Sequence, residues 1–355
     1  MTSPDTPPSA SPGAPLSAPP QQPPLLRVSH LVRHFDAVKA VDDISFELPR
    51  ACSVGLIGAN GAGKTTAMRI ITTQDLPDSG SVEIDGIDLL SEPEKVIARI
   101  GWMPDDFETV PHTTIRDFID YYARTYGLVG RQRISEVDRV IAFCGLSDLE
   151  DRRINRLSKG QKQRLCLART LIGNPDLLVM DEPAAGLDPQ ARIEFKQLVQ
   201  QLKSQGKTLL ISSHILSELS EMCDSMIFMD EGRIIGRGSQ QELENAAASE
   251  TVGQQIHIEL LDDPAALVAD LSASPLWKSA AALPPRPGSS LSCVTALFVP
   301  APAREGEAAP ASSEVQLSAE LRRLAASYSL LSFRPHQYTL EETFVNILAR
   351  RHESA

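Results

Sequence analysis

The 355-residue chain carries a formal net charge of −12, from 34 Lys and Arg against 46 Asp and Glu, a balance that disfavours functions resting on wrapping phosphate backbones, whose affinity comes mostly from Lys and Arg. Hydrophobic residues at 42% and charged ones at 23% are ordinary globular values, enough for a sizeable core and two compact units. Five cysteines (Cys52, Cys144, Cys166, Cys223, Cys293) form no CxxC pair, so reduced, packed thiols are expected, with no zinc site and no disulfide frame.

Residues 1–24 are dense in Pro, Ser and Ala; with almost nothing to bury, the segment reads as disordered. No basic start is followed by an apolar run, so no secretory signal is expected. Order begins near Leu25, where LLRVSHLVRHF and then VDDISFEL mix alternation and β-branched residues as short strands do. An apolar run, Ser53 to Ile57, ends in a Gly-rich turn and a helical stretch from Lys64 (KTTAMRIITT). Further buried strands are expected at Leu177 to Met180, Thr208 to Ser212 and SMIFMD, with a helix over ILSELSEMCD between the last two. Apolar strands alternating with helices argue for an α/β fold with a mainly parallel sheet covered on both faces. A polar, helix-rich stretch occupies about residues 105–169.

Beyond Glu242 the texture changes. Strand QIHIEL, helix DPAALVADLSA, strand SCVTALFV, helix SAELRRLAASY, strand LLSFRP and a final helix LEETFVNILARR are expected, interrupted by loops around Pro284 to Ser290 and Pro300 to Ser313. The boundaries that follow are a tail at 1–24, a main unit at 25–242 and a small α+β domain at 243–355. No stretch approaches the roughly 18 continuous apolar residues of a spanning helix. Work at a membrane would then need a partner to hold the chain there.

Gly58-Ala59-Asn60-Gly61-Ala62-Gly63-Lys64-Thr65 satisfies GxxxxGK[ST] between an expected strand and helix. Glycines let the backbone curl so that successive N–H groups face phosphate oxygens, and the helix N-terminus adds positive potential. Lys64 can reach the outer phosphates and the Thr65 hydroxyl can ligate Mg²⁺. Gly58, Asn60, Gly61, Gly63, Lys64, Thr65 and Thr66 are thus the candidate phosphate-binding residues of the loop. LLVMDEP places Asp181 and Glu182 after an apolar strand, and ligands of open α/β sheets bind at carboxyl ends of strands. Asp181 can hold the metal there, and Glu182 can orient or deprotonate an attacking water. An apolar run followed by DE could by itself be a solvated acidic loop; the phosphate loop upstream favours the functional reading.

Between these motifs stands Leu157-Ser158-Lys159-Gly160-Gln161, and after them Gly186-Leu187-Asp188-Pro189 and Ser212-Ser213-His214. In this order the elements resemble the ATP-binding cassette transporters, whose signature reads LSGGQ or a close variant, over roughly residues 25–242. The resemblance implies a P-loop NTPase fold with a helical subdomain, ATP hydrolysis with Mg²⁺, and sites split across a dimer. It implies that Ser158, Gly160 and Gln161 bind the γ-phosphate held by the opposite subunit, that Asp188 contacts the partner's phosphate loop, and that His214 touches the γ-phosphate. Phe35 falls where the family stacks a ring on adenine; a core phenylalanine at a strand end is the plain alternative. Lys159 replaces a glycine of the signature. Asp105, after Ile100-Gly101-Trp102-Met103-Pro104, stands where the family usually has a metal-contacting glutamine and brings another negative charge near a triphosphate.

Thr339-Leu340-Glu341-Glu342-Thr343-Phe344 is similar to the tail of exporter-type ATPases that serve separately encoded permeases. That likeness implies a cytoplasmic subunit at the inner face of the cell membrane, partnered by an integral permease and by a second ATPase subunit, identical or paralogous, and not by nucleic acid. An importer ATPase, whose C-terminal domain is usually a small β-barrel, and a soluble cassette ATPase outside transport are the alternatives.

Overall fold

The first ordered residues alternate apolar and polar side chains, and they form a sheet with one wet face. The computed structural model describes residues 23–107, 110, 112–243, 254–283, 291–300, 313–335 and 342–344. β1 (Leu26–Phe35) and β2 (Val38–Leu48) pair antiparallel and bury Leu26, Val28, Leu31, Ile44, Phe46 and Leu48. Two strands beyond those expected, β4 (Ser79–Ile84) and the two-residue β5 (Ile87–Asp88), complete a sheet of order β2-β1-β4-β5. Their sequence, SGSVEI and ID, is too short and polar to declare itself; the pairing of β4 with β1 decides it.

β3 (Ser53–Ile57), between β2 and β4 in sequence, belongs to a second sheet. Its other members are β6 (Ile100–Met103), β7 (Leu177–Met180), β8 (Thr208–Ser213), β9 (Ser225–Asp230) and β10 (Arg233–Ser239). The order is β10-β9-β3-β8-β7-β6. All neighbours from β9 to β6 run parallel, and β10 alone turns back. β3, β7 and β8 are buried at every residue, as strands covered on both faces are.

One face packs on α1 (Lys64–Ile71), the single turn α2 (Pro93–Val96) and the antiparallel sheet, through Leu56, Met68, Ile71, Val82, Val96 and Val179. The other face packs on α3 (Ile115–Thr125), α4 (Gly130–Phe143), α5 (Lys159–Leu171), α6 (Pro189–Ser204) and α7 (Leu216–Ser220). α7 is shorter than the helix expected over ILSELSEMCD. The Met222 and Cys223 N–H groups both close on the Leu219 carbonyl, ending the helix in a turn. None of the described helices is long and apolar enough to cross a membrane.

A third sheet, order β12-β13-β11-β14, comprises β11 (Gln254–Leu260), β12 (Trp277–Leu283), β13 (Ser292–Phe298) and β14 (Leu330–Pro335), all antiparallel. Its core of Ile256, Ile258, Leu271, Trp277, Phe298 and Leu324 gathers residues of the sheet and of α8 (Pro264–Ala273) and α9 (Ser313–Ser327). β12 was not among the expected elements: WKSAAAL carries three alanines, which are poor strand formers, and its register with β13 fixes it. α9 starts at Ser313, earlier than the helix expected at SAELRRLAASY. Residues 1–22 of the tail expected at 1–24, the loop at 284–290 and most of the second loop lie outside the described residues. So does the final helix, except that Glu342–Phe344 is helical.

There the chain returns to the main unit. Thr343 is fully buried, and the Phe344 ring sits 5.1 Å from that of Phe228 in β9. Phe344→Ala should destabilise the protein by about 1–3 kcal/mol, less than a fully buried phenylalanine because this ring is half-buried. A fall in the urea unfolding midpoint would show it, with the exposed Leu331→Ala as a neutral comparison.

Candidate nucleotide site

Neighbouring parallel strands lie about 4.8 Å apart, so the order β3-β8-β7-β6 sets four loops side by side at their carboxyl ends. β3 leads into the Gly-rich loop, β8 into His214, β7 into Asp181 and Glu182, and β6 into Asp105. Residues scattered over the sequence thus share one edge, where open α/β sheets bind ligands.

The loop after β3 is shaped by what cannot fit. A Cβ on Gly58 would lie 2.4 Å from the Met229 carbonyl oxygen, and one on Gly63 would lie 2.1 Å from that of Ala40. Gly63 also has φ 99°, a left-handed conformation that favours glycine. Between these contacts Asn60 and Gly61 stand exposed, and α1 begins at Lys64, with Thr65 and Thr66 in its first turn. Lys64 is only 5% exposed. Its Nζ donates to the carbonyls of Gly58 (2.7 Å) and Ala59 (3.3 Å) and lies 3.6 Å from Glu182 Oε1. The loop thus curls around its own ammonium.

The acidic strand end is wired to this loop. Thr65 Oγ1 donates to Asp181 Oδ2 at 2.8 Å, and Ser212 Oγ donates to Asp181 Oδ1 at 2.5 Å. The same Ser212 hydroxyl accepts the Glu182 N–H at 2.9 Å. Glu182 Oε2 lies 2.8 Å from His214 Nδ1, and its backbone φ of 47° is an uncommon one for a residue with a Cβ. Thr65, Asp181, Glu182 and His214 are therefore in one hydrogen-bonded chain. The pairing of a hydroxyl with a carboxylate beside a phosphate loop is a hard-oxygen donor set, and it fits Mg²⁺, which takes one or two protein oxygens and completes its shell with water and phosphate.

The remaining candidates lie elsewhere in the chain. Ser158 caps α5: its Oγ accepts from Gln161 N at 3.3 Å while Gln161 Oε1 accepts from Ser158 N at 3.0 Å. Gly160 is buried against α6, where a Cβ would meet Ala191 Cβ at 2.7 Å. Asp188 caps α6, accepting from Ala191 N at 2.9 Å. Among the described residues none of these polar side chains bonds to the phosphate loop of its own chain. Phe35 is 44% exposed, with Arg33 Cζ 4.5 Å over its ring, so the core alternative does not hold. Asp105 lies exposed at the end of β6. Partial screening of its carboxyl from water, and then the Asp181 and Glu182 carboxylates, push it above the usual range, while Lys159 draws it down.

Two residues join the site that the motifs did not single out by role. Ser212 bridges both acids, although only its place in Ser212-Ser213-His214 marked it. Arg169, near the end of the signature helix, donates to the Trp102 carbonyl at 3.1 Å and stacks on Phe107 and Tyr122 at 5.0 and 5.5 Å. It pins the segment after Asp105 to α5 and α3. The helical periodicity of LCLARTLI does not disclose this, because the partner strand β6 is distant in sequence.

A profile of the ABC transporter family matches residues 41–185. The chain is 36% identical over 214 residues to ABC transporter ATP-binding protein NatA of Bacillus subtilis, covering 60% of this chain and 87% of that protein. It is 34% identical over 220 residues to Nod factor export ATP-binding protein I of Ralstonia nicotianae, covering 62% and 68%. Among solved structures, an ATP-binding subunit of an ABC transporter superposes with a TM-score of 0.56 at 28% identity, over 62% of this chain and 92% of that one. The cbiO1 protein of Clostridium perfringens, part of the ABC transporter complex cbiONQ, does so with a TM-score of 0.57 at 26% identity, over 65% and 96%. The sheet order, the phosphate loop wired to Asp181 and these likenesses agree, and the chain belongs to the ABC transporter family as an ATP-binding, ATP-hydrolysing cassette.

Proposed function

We propose that this ATPase energises export through a separate integral membrane permease, closing with a second ATPase subunit, identical or paralogous, around bound ATP. The hydrogen-bonded run from Thr65 through Asp181 and Ser212 to Glu182 is the observation that carries the hydrolytic part. The export-named relatives and the helix-bearing third sheet favour the exporter reading over an importer. Residues 25–242 form the nucleotide-binding unit in this reading, with residues 105–169 as its helical subdomain and 243–355 as an accessory domain. The subunit would lie at the inner face of the membrane, held by its permease.

Lys64 would exchange its carbonyl partners for the outer phosphates, and Phe35 would stack on adenine. Thr65 and Asp181 would hold Mg²⁺, which supplies charge neutralisation at the phosphate oxygens. Glu182 accepts a proton from the attacking water as its oxygen bonds to the γ-phosphorus and the bond to the β-phosphate oxygen breaks. His214 keeps the Glu182 carboxylate oriented. Ser158, Gly160, Gln161 and Asp188, unbonded to their own phosphate loop, would face the nucleotide of the partner subunit at a helix N-terminus suited to anions. The γ-phosphate is then the shared anion, and hydrolysis loosens the dimer. Swinging such an equilibrium from 1:99 to 99:1 takes about 5.5 kcal/mol of differential binding, which several charge-assisted hydrogen bonds at each of two sites can supply.

Glu182→Gln should cut turnover about 10²- to 10⁴-fold, the range for a positioned acid–base group, and leave ATP binding and ATP-dependent dimerisation in place; normal phosphate release by the purified variant would remove Glu182 from this role. Lys64→Ala should abolish tight ATP binding in a nucleotide titration. Ser212→Ala leaves the Glu182 N–H without an acceptor and Asp181 short of a donor. A stability loss of about 1–3 kcal/mol in urea unfolding, together with slower turnover, is expected.

A further inference from the structure

Ser212 and its neighbour on β8 serve different carboxylates. Ser213 is buried; its Oγ accepts the Ile215 N–H at 3.0 Å and donates to Glu218 Oε2 at 3.1 Å. The hydroxyl thus closes the backbone around His214 and fastens that segment to the first turn of α7. The Glu218 side chain is only 3% exposed, and its other oxygen faces Arg192 in the first turn of α6, with Nε 3.2 Å from Oε1. That approach is an ion pair without the alignment of a hydrogen bond. Arg192 is the one cation within 4 Å of Glu218 among the described residues. The same residue reaches back to the chain that enters α6: Nη2 donates to the Leu187 carbonyl at 3.5 Å, and the Arg192 N–H donates to the Asp188 carbonyl at 3.0 Å.

A buried carboxylate held by one hydroxyl and one guanidinium is costly to desolvate, and an uncharged side chain of similar shape would pack there at least as well. What the charge adds is direction, because it answers Ser213 on one side and Arg192 on the other. β7 and β8 are neighbours, so the turns leaving their carboxyl ends lie side by side, and Glu218 spans them. One turn carries His214, which is paired with Glu182; the other carries Asp188. We propose that Glu218 is a positioning residue which, with Arg192, locks the His214 segment to the Asp188 turn, so that the chain's own nucleotide site and the group turned toward the partner subunit change together. The proposal rests on the shared-site reading above, in which His214 serves the chain's own site and Asp188 meets the partner's. An arriving γ-phosphate that shifts His214 thereby shifts the turn at Leu187 and Asp188, and a partner pressing on that turn steadies His214 against Glu182.

The test separates ATP binding from turnover in the full chain. A fluorescent ATP analogue is titrated at a concentration where gel filtration shows monomer, and phosphate release is measured at saturating Mg-ATP. Arg192 is nearly half exposed, so it can be changed without emptying the core. Arg192→Gln should leave monomer affinity within about twofold of the parent and lower turnover about five- to 100-fold, the scale of a displaced positioning contact. Arg192→Lys, which keeps the charge, should recover part of that loss. Glu218→Gln keeps an acceptor for Ser213 and should lower turnover similarly. Joining it to Arg192→Gln should cost little more than either change alone, as expected of two groups acting as a unit. Normal turnover in Arg192→Gln, a loss of monomer affinity equal to the loss of turnover, or losses that multiply in the double variant would each overturn the proposal. Retained binding in Lys64→Ala, or normal turnover in Glu182→Gln, run alongside, would instead overturn the nucleotide-site reading itself.

Discussion

A carboxylate that is 3% exposed must have its oxygens answered by donors, because burying unpaired polar atoms is costly. Asp181 has two, and they come from two other strand ends: the Thr65 hydroxyl after β3 and the Ser212 hydroxyl at the end of β8. The rest of the site depends on this pairing. It fixes the first turn of α1 against β7, and through Ser212 it sets the backbone N–H of Glu182. Glu182 in turn lies between Lys64 and His214. Remove the common carboxylate and the phosphate loop keeps only the 3.6 Å contact of Lys64 with the acid that would activate water.

The same economy appears in how the layers touch. Gly58 and Gly63 let the loop pass against the Met229 and Ala40 carbonyls, so the antiparallel sheet and β9 both brace it. Gly160 does the corresponding work between α5 and α6, placing the Ser158 cap beside the Asp188 cap. Two helix N-termini are thereby set side by side on one surface while their capping groups stay engaged within their own turns. In the proposed dimer this arrangement would leave the Gly58 to Thr65 loop for the chain's own nucleotide and present the Ser158 and Asp188 caps to that of its partner.

The third sheet is built by different means. Its alternating strands bury one face beneath two helices and leave the other wetter, and Phe344 brings the end of the described chain back to β9. β9 lies beside β3, the strand that carries the phosphate loop. The Phe344 segment thus touches the second sheet one strand away from the phosphate loop.

Much of this was legible in the chain itself, because the chemistry that binds a triphosphate demands particular residues at short spacing. Gly58 to Thr65, Ser158 to Gln161 and Asp181-Glu182 are local patterns, and a turn, a cap and a strand end need only their near neighbours. The apolar runs of β3, β7 and β8 likewise announce strands buried on both faces. β4, β5 and β12 did not, since short or alanine-rich segments become strands only when a partner offers its edge. Nor could local patterns show that Ser212 bridges two acids, that Arg169 reaches the Trp102 carbonyl, or that Glu218 lies against Arg192. Those contacts join residues tens of positions apart or across a turn, and only the packing of strands in the order β3-β8-β7-β6 brings them within hydrogen-bonding or Coulombic reach.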